Sequence, residues 1–337
     1  MYQKKQTIII AAILIALPTL LQAESQIGDS KVDFSGSVEA DIFSNNSDTS
    51  GNSSNIVVST VEFGIKATLS DKISASITLL AEDIGSSAGV NADAGKVAID
   101  EAVIQLELGS GSLSIGQMYI PFGSYESHFV TDPLTLLLGE SSETAVMYST
   151  EIGGGLDASF YLFNGDVDET GTDNDKINDI GFSIKGGQEN WSIGIDYVSN
   201  IADSDELSGL GVSLLSNVAG AGLHGSIAIG DITVFGEYIT AIDDFTAGDL
   251  GGAVTTRQQP SAFSIEVALA LSGDSSFAIG LSTSDDANGL LPYESQLALA
   301  YSTTLVEHIG MTVELLNAEE YNNNKDTIAT LQLAAEF

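Results

Sequence analysis

The sequence predicts an all-β fold, a transmembrane antiparallel β-barrel of about 16 strands without a plug domain. Three observations predict it: an export signal with no later apolar helix, period-two alternation along many segments, and connections that alternate between short and long. The composition agrees, because 43% of the 337 residues are hydrophobic while the formal charge is −37. A barrel separates these properties, with apolar side chains toward lipid and acidic ones in the lumen and loops.

The composition also excludes several classes of function. With 47 Asp and Glu against 10 Lys and Arg, the chain lacks the positive charge that binds nucleic acid by displacing counterions. The absence of cysteine excludes disulfides, thiolate metal sites and cysteine nucleophiles. The sequence contains no phosphate-binding Gly-rich loop, no H-E-x-x-H motif and no organised catalytic triad, so we expect no enzyme.

The first element is an export signal. Lys4 and Lys5 precede an apolar run over residues 8–21, and the small residue Ala23 stands before Glu24. This arrangement is typical of a secretory signal peptide, and the run is shorter than the roughly 20 residues that a transmembrane helix needs. We therefore expect residues 1–23 to be a signal peptide and residues 24–337 to form the barrel.

Strands follow along the remaining chain, and residues 57–69 illustrate their pattern. Val61, Phe63 and Ile65 alternate there with polar residues such as Glu62. Period-two alternation places the two sets on opposite faces of a strand. The same pattern predicts 16 strands, near residues 31–43, 56–69, 72–84, 97–109, 111–120, 143–151, 155–163, 179–186, 190–199, 219–229, 231–240, 261–272, 275–284, 294–304, 308–317 and 326–337.

The predicted connections alternate in length. Short turns, such as those at Ser70-Asp71 and Gly273-Asp274, alternate with long connections near residues 44–55, 85–96, 121–142, 164–178, 200–218, 241–260, 285–293 and 318–325. Bacterial outer-membrane barrels combine an even strand count with tight periplasmic turns and long outer loops. The predicted fold is therefore porin-like, with a water-filled bore. A soluble β-sandwich or β-helix also alternates, but the acidic long connections favour the barrel.

A plugged, energy-coupled receptor does not fit this pattern. Such transporters have about 22 strands and a plugged lumen, whereas the first predicted strand already begins near Lys31. The sequence therefore predicts passive passage through the bore, or passage gated by a loop.

The longest outer connection, residues 121–142, is the third of the eight long ones. We expect it to fold into the bore and to bring acidic and imidazole side chains to the narrowest point, namely Glu126, His128, Asp132, Glu140 and Glu143. Carboxylates in a narrow passage select cations over anions. The alternative is a loop packed on the outer rim, with its acidic residues solvated.

A second acidic loop, residues 164–178, carries a weak metal signal at Asp166, Asp168, Asp173 and Asp175. Oxygen ligands at this spacing suit calcium, but the EF-hand order fails because the twelfth place, counted from Asp166, is Ile177. We expect no resident cofactor. A loosely bound divalent cation that bridges to lipopolysaccharide is one hypothesis, and a solvated acidic loop is the other.

Several segments, in matching order along the chain, carry a family resemblance. They are residues 116–126, 132–136, 138–140, 163–169, 175–177 and 200–205, and the first reads Gly-Gln-Met-Tyr-Ile-Pro-Phe-Gly-Ser-Tyr-Glu. These segments resemble the LbtU family of siderophore porins. The resemblance implies a plug-free outer-membrane barrel that takes up a ferric siderophore without TonB-type energy coupling. It assigns no individual binding residues.

The leading hypothesis is therefore a substrate-selective channel for a ferric siderophore, multi-pass in the outer membrane of a Gram-negative cell. The alternative is a general cation-preferring diffusion porin for small solutes. An adhesive or purely structural barrel would have a closed bore. The expected partners are outer-membrane lipid, lipopolysaccharide and the solute, with no nucleic acid. A homotrimer is one predicted assembly, although the sequence leaves the oligomeric state open.

Overall fold

The structure, a computed structural model, describes residues 25–27, 30–86, 94–171 and 176–337. In this part of the chain, one barrel contains 16 consecutive antiparallel strands. They are β1 (Ser30–Ser47), β2 (Gly51–Ser70), β3 (Ile73–Ile84), β4 (Ala98–Leu108), β5 (Gly111–Tyr119), β6 (Ser142–Gly153), β7 (Leu156–Asn164), β8 (Asp179–Gln188), β9 (Trp191–Val198), β10 (Gly220–Ile229), β11 (Ile232–Ala241), β12 (Ser261–Leu271), β13 (Ser275–Asp285), β14 (Ser295–Val306), β15 (Ile309–Glu319) and β16 (Lys325–Glu336).

The barrel closes because β16 pairs with β1. Their antiparallel register places Leu331 opposite Ile42 and Leu333 opposite Ala40. Each of the other barrel strands pairs with the strand that follows it in the chain. A closed ring leaves no unpaired edge to the hydrocarbon of a bilayer.

In the described ranges, helical structure is sparse and lies in the loops. The helices there are α1 (Leu134–Gly139), α2 (Asp205–Ser208) and α3 (Asp249–Gly252), with a 3-10 turn at Ile201–Asp203. Among the residues that the structure describes, no helix is long and apolar enough to cross a membrane. Three shorter strands lie outside the 16 barrel strands, at Ser25–Ile27, Asp168–Glu169 and Ser213–Leu214.

The two faces of the wall follow the predicted alternation. In β13, Ile279 and Leu281 are exposed on the outer face, whereas Ala278 and Ser282 are buried on the inner face. Ile279 lies opposite Leu299 of β14, so apolar side chains of neighbouring strands share the outer face. This belt of apolar side chains is the surface that a bilayer requires.

The two ends of the barrel differ as predicted. The turn end has two- or three-residue connections, at 71–72, 109–110, 154–155, 189–190, 230–231, 272–274 and 307–308. The loop end has the connections 48–50, 85–97, 120–141, 165–178, 199–219, 242–260, 286–294 and 320–324. The start of β1 and the end of β16 both lie at the turn end.

The first outer connection is shorter than predicted. Residues 44–55 were expected to form a long loop, but β1 continues to Ser47 and β2 starts at Gly51. The Ser47 hydroxyl accepts hydrogen bonds from the amides of Thr49 and Ser50, at 3.2 and 3.1 Å. Local side-chain capping therefore lets this polar segment continue the hairpin beyond the apolar belt.

The loops also carry an apolar core. This core was not predicted, because the loops and the lumen were expected to be acidic. Buried side chains from five loops, 120–141, 165–178, 199–219, 242–260 and 286–294, pack together at the loop end, among them Phe122, Val167, Leu207, Phe245 and Leu290. Long loops become ordered only when they bury enough apolar surface to offset their conformational entropy. This core fixes the position of the connection between β5 and β6.

Candidate functional site

The connection between β5 and β6, residues 120–141, lies against the lumen side of the wall and is called the pore loop below. Its backbone amides donate hydrogen bonds to lumen-facing side chains of three strands. The bonds are Gly123 N to Asp196 Oδ2 (3.0 Å), Ser124 N to Glu237 Oε1 (2.7 Å) and Leu134 N to Ser282 Oγ (2.8 Å). The loop therefore occupies the bore beside strands β9–β13.

Two more wall carboxylates hold the far part of the pore loop. Glu266 of β12 accepts from the amide of His128 at 3.0 Å and lies 2.5 Å from its Nδ1. Glu314 of β15 accepts from the amides of Val130 and Thr131, at 2.6 and 3.1 Å, and from the Thr131 hydroxyl at 2.5 Å. Hydrogen bonds to a charged acceptor are about twice as strong as neutral ones.

These four carboxylates, Asp196, Glu237, Glu266 and Glu314, are called the clamp acids below. All four are buried, and a buried carboxylate is costly unless donors surround it. Because the chain has few cations, backbone amides of the pore loop supply those donors. The same contacts therefore give each wall carboxylate at least one donor and fix the loop.

Backbone conformation shapes the first turn of the pore loop. Gly123 has φ +94°, and a Cβ there would collide with the Tyr125 ring, so glycine fits this position. Tyr125 itself has φ +51°, and its hydroxyl donates to the carbonyl of Phe122. Burial, followed by Glu237 and Glu140, raises the pKa of Tyr125 well above its usual range, so the hydroxyl stays protonated and donates.

The end of the pore loop is anchored by two neighbouring loops. Asp205 donates its amide to the carbonyl of Glu140 (2.8 Å), and its Oδ1 accepts from the amide of Ser142 (3.0 Å). Asp203 Oδ1 accepts from the amide of Val167 at 2.9 Å. The loops 165–178 and 199–219 thus join the pore loop in one hydrogen-bonded unit.

Acidic groups in this anchor hold their protons more tightly than usual. Burial, then the nearby Asp205 and Asp100, raises the pKa of Glu140 to about 9. Burial, then Asp179, raises the pKa of Asp203 to about 8. Burial also raises the pKa of Asp205 to about 6, while its bond from the Ser142 amide opposes the shift. Part of the acidic composition is therefore uncharged at neutral pH.

The five residues predicted for the narrowest point separate into two groups. Glu126, His128 and Asp132 lie on the inner part of the pore loop, where Glu126 is exposed and Asp132 is buried. Glu140 and Glu143 lie at the anchor, and Glu143 belongs to β6 rather than to the loop. Their part in setting the width of the bore stays a prediction.

Of the four residues in the weak metal signal, the structure describes Asp166 and Asp168. Asp166 is exposed, and Asp168 is buried in the parallel pair that Asp168–Glu169 forms with Ser213–Leu214. Asp173 and Asp175 lie outside the described residues. Within the described ranges, no group of three or more His, Cys, Asp or Glu could hold a metal ion. The divalent cation stays a prediction.

Sequence reasoning missed the clamp acids. Each is a single carboxylate at a lumen position in the middle of a strand, such as Glu266 between Ile265 and Val267. The alternation identified their face of the wall, but it carried no information about which loop would reach them. No local sequence signal singles them out, because Glu62 on the opposite wall also lies between two apolar residues, Val61 and Phe63.

Other lumen carboxylates lie on the opposite wall. Glu62 of β2, Glu82 of β3 and Glu101 of β4 are half-buried and face inward. Their inward orientation follows from the register, since Ile65 and Ile77 oppose each other on the outer face. Lys66 of β2 is exposed on the same inner surface.

A closed barrel of 16 strands with a loop folded against its inner wall defines a porin-type channel of the outer membrane. A family model described as Gram-negative porin matches residues 10–325. The chain belongs to this Gram-negative porin family. It is therefore a channel that crosses the outer membrane many times, which confirms the predicted fold and location, and the family points to a channel rather than an enzyme.

Similar solved structures support the fold. The outer-membrane channel DcaP of Acinetobacter baumannii is 16% identical, with 94% of this chain and 100% of that chain covered and a TM-score of 0.69. The anion-selective porin from Comamonas acidovorans is 16% identical, with 92% and 100% covered and a TM-score of 0.67. At this identity the likeness concerns the fold alone.

One curated relative matches at the level of sequence. The UPF0422 protein of Coxiella burnetii is 27% identical over 230 residues, which cover 64% of this chain and 49% of the relative. The chain thus spans about half the length of this relative. The narrower resemblance to siderophore porins and the homotrimer both stay predictions.

Loss of one clamp acid should loosen the inner part of the pore loop. In Glu314→Ala the amides of Val130 and Thr131 lose their acceptor, and each bond to a charged group contributes about 1.5–3 kcal/mol. We expect single-channel recordings to show flickering or a higher mean conductance. Glu151→Ala, at the turn end of β6, is the control and should leave the current unchanged. Identical recordings for both variants would contradict the clamp.

The raised pKa of Glu140 predicts a pH dependence of stability. The folded state keeps a proton that the unfolded state releases, so the free energy of unfolding falls as pH rises from the ordinary value of 4.5 to about 9. Glu140→Gln mimics the protonated form. We expect it to stabilise the protein by on the order of 2 kcal/mol at pH 8 and to have little effect at pH 4.

Thermal or guanidinium unfolding in detergent micelles measures this difference. Glu126→Gln is the matched control, because Glu126 is exposed and surface substitutions usually change stability by less than about 0.5 kcal/mol. A Glu140→Gln variant that is less stable than the native protein at pH 8 would contradict the burial argument.

Proposed function

We propose that this channel conducts small solutes passively and prefers cations. The observation that carries the proposal is the charge of the inner surface. Three half-buried carboxylates, Glu62, Glu82 and Glu101, face the bore on the wall opposite the clamp acids, and Glu126 on the pore loop is exposed. Fixed charges of one sign that line a narrow passage select ions of the opposite sign.

Positive side chains on the inner surface offset this charge only in part. Among the described strand residues, lysines face inward at Lys31, Lys66 and Lys185. Lys31 lies 3.2 Å from Asp33, and Lys185 donates to the carbonyl of Gly123 at 3.2 Å. Two of the three lysines therefore have a partner close by, so negative charge predominates on the inner surface.

In this proposal, ions pass between the pore loop and strands β2–β4. The loop is bonded to the clamp acids on β9–β15, so the space toward β2–β4 stays open. The four clamp acids add little to selectivity, because loop amides already surround them. Selectivity in this proposal therefore depends on the acids of β2–β4.

Reversal-potential measurements in planar bilayers test the proposal. In a KCl gradient the native channel should favour K⁺, and the double variant Glu62→Gln/Glu101→Gln should lower the K⁺/Cl⁻ permeability ratio several-fold. The effect should shrink at high salt, where the Debye length falls to about 3 Å. Asp71→Asn, in a turn, is the control. Anion preference, or no conductance, would refute the proposal.

A second candidate, uptake of a ferric siderophore without TonB-type coupling, has one specific observation in its favour. Segments that carry the family resemblance are far apart in sequence, yet three of them meet at the anchor of the pore loop. Asp205 bonds to Glu140 and Ser142, and Asp203 bonds to Val167. The resemblance therefore concerns the part of the chain that positions the pore loop.

Cells that lack the gene test this candidate. Under iron limitation they should grow more slowly and take up less iron-loaded siderophore, and a plasmid copy should restore both. Uptake through this channel should persist when a protonophore abolishes energy coupling. Normal growth and uptake without the gene, together with lost uptake of another solute, would leave the general cation-preferring channel as the function.

A further inference from the structure

A cavity lies between the inner part of the pore loop and the wall beneath it. It encloses about 50 Å³ and opens to the lumen, and strands β9–β15 form its floor. Tyr125, Phe129 and Asp132 line it from the loop, and Phe235, Gln296 and Leu316 line it from the wall. This volume exceeds the roughly 10–15 Å³ that one water molecule needs, so the cavity holds more than a single water.

The apolar part of the cavity consists of aromatic and aliphatic side chains. The Phe129 ring lies against Gly280, at a position that any larger residue of β13 would fill. Phe235 lies beside His128, with 5.7 Å between ring centroids. Leu316 is 1% exposed. A compact hydrocarbon or aromatic body would gain free energy by leaving water for this surface.

Two buried polar atoms in the same cavity lack a hydrogen-bond partner among the described residues. They are Asp132 Oδ2, an acceptor, and Gln296 Nε2, a donor. The two residues are 7% and 4% exposed. Buried polar groups are nearly always paired, since an unpaired one costs about 1–3 kcal/mol. The pair therefore points to a ligand that offers both a donor and an acceptor.

The charge of the residues around the cavity determines which hydrogen-bond donor group a ligand should carry. Glu126 lines it beside Asp132, next to the clamp acids Glu237 and Glu266, which loop amides already bind. The described residues that line it include no lysine or arginine. Carboxylates in a partly water-excluded space attract a cation strongly, and an ammonium group combines positive charge with hydrogen-bond donors.

We propose that this cavity is a binding subsite for a small organic ammonium ion with an apolar or aromatic body and a hydroxyl group. The ammonium lies at Asp132, the hydroxyl oxygen accepts from Gln296, and the apolar body packs on Phe129 and Phe235. The subsite deepens the proposed cation channel and rests on it, because a cation-preferring lumen delivers such ions to the cavity.

The state of Asp132 is compatible with this ligand. Burial, then Glu140 and Glu314, raises its pKa well above the usual range. An opposite charge within about 4–6 Å favours the ionised form of a carboxyl group. An ammonium ion at Oδ2 therefore supplies the charge partner that the surrounding side chains lack.

Current block in planar bilayers tests the subsite, with 2-amino-1-phenylethanol as the probe. We expect interruptions of the cation current that become more frequent with probe concentration. Its neutral analogue 1-phenylethane-1,2-diol carries a hydroxyl in place of the ammonium and should not block. Asp132→Asn should weaken the block about tenfold or more, the size expected for a lost bond to a charged group. Gln296→Leu should weaken it less.

Asp157→Asn is the matched control. Asp157 opposes Lys185 on the inner face near the turn end and does not line the cavity, so its variant should keep the block. If Asp132→Asn fails to fold, Phe129→Ala replaces it and should also weaken the block. Cation current that the probe leaves untouched, or equal block by the diol, would overturn the subsite while the channel proposal stands.

Isothermal titration of the protein in detergent micelles separates the two proposals. It needs no current, so it measures probe binding even if the bilayer recordings show no conductance. Saturable binding of the probe that Asp132→Asn weakens would support the subsite in either case. No binding of the probe in micelles and no block in bilayers would overturn it.

Discussion

Closure of the strand ring is the constraint on which the rest of this structure depends. Within lipid each unpaired backbone amide or carbonyl costs several kcal/mol, so β16 must pair with β1. Once the ring is closed, each strand has one face toward lipid and one toward water. Period-two alternation then becomes obligatory, and the high hydrophobic content and the high negative charge occupy opposite sides of one wall.

The acidic residues divide into three roles that composition does not distinguish. The clamp acids accept hydrogen bonds from pore-loop amides and so fix the loop. A second set, including Glu140 and Asp203, is buried at the anchor, where its raised pKa values keep protons bound. A third set, Glu62, Glu82 and Glu101 on β2–β4, is half-buried and stays in contact with the bore. In the proposed function this third set, together with the exposed Glu126, acts directly on passing ions.

Much of the fold was predictable because lipid imposes one rule on each strand: apolar side chains on the lipid face alternate with polar ones on the lumen face. The predicted segment 275–284 corresponds to β13 (Ser275–Asp285), and 294–304 to β14 (Ser295–Val306). Prediction was weaker where the rule no longer applies. Residues 44–55 are polar on both faces, so no alternation marked them as strand, and only the Ser47 cap extends the hairpin there. The apolar loop core was missed for the same reason.

The sequence by itself determined the barrel, its approximate strand bounds, its two unlike ends and the acidic character of its interior. These are local properties, since each depends on alternation or composition within about 20 residues of chain. The tertiary structure decided which acids meet the pore loop. Glu314 lies 184 positions from Val130, and Glu140 lies apart from Glu126 although one segment carries both. Such pairings depend on how the ring closes and how loops pack, which no local pattern encodes.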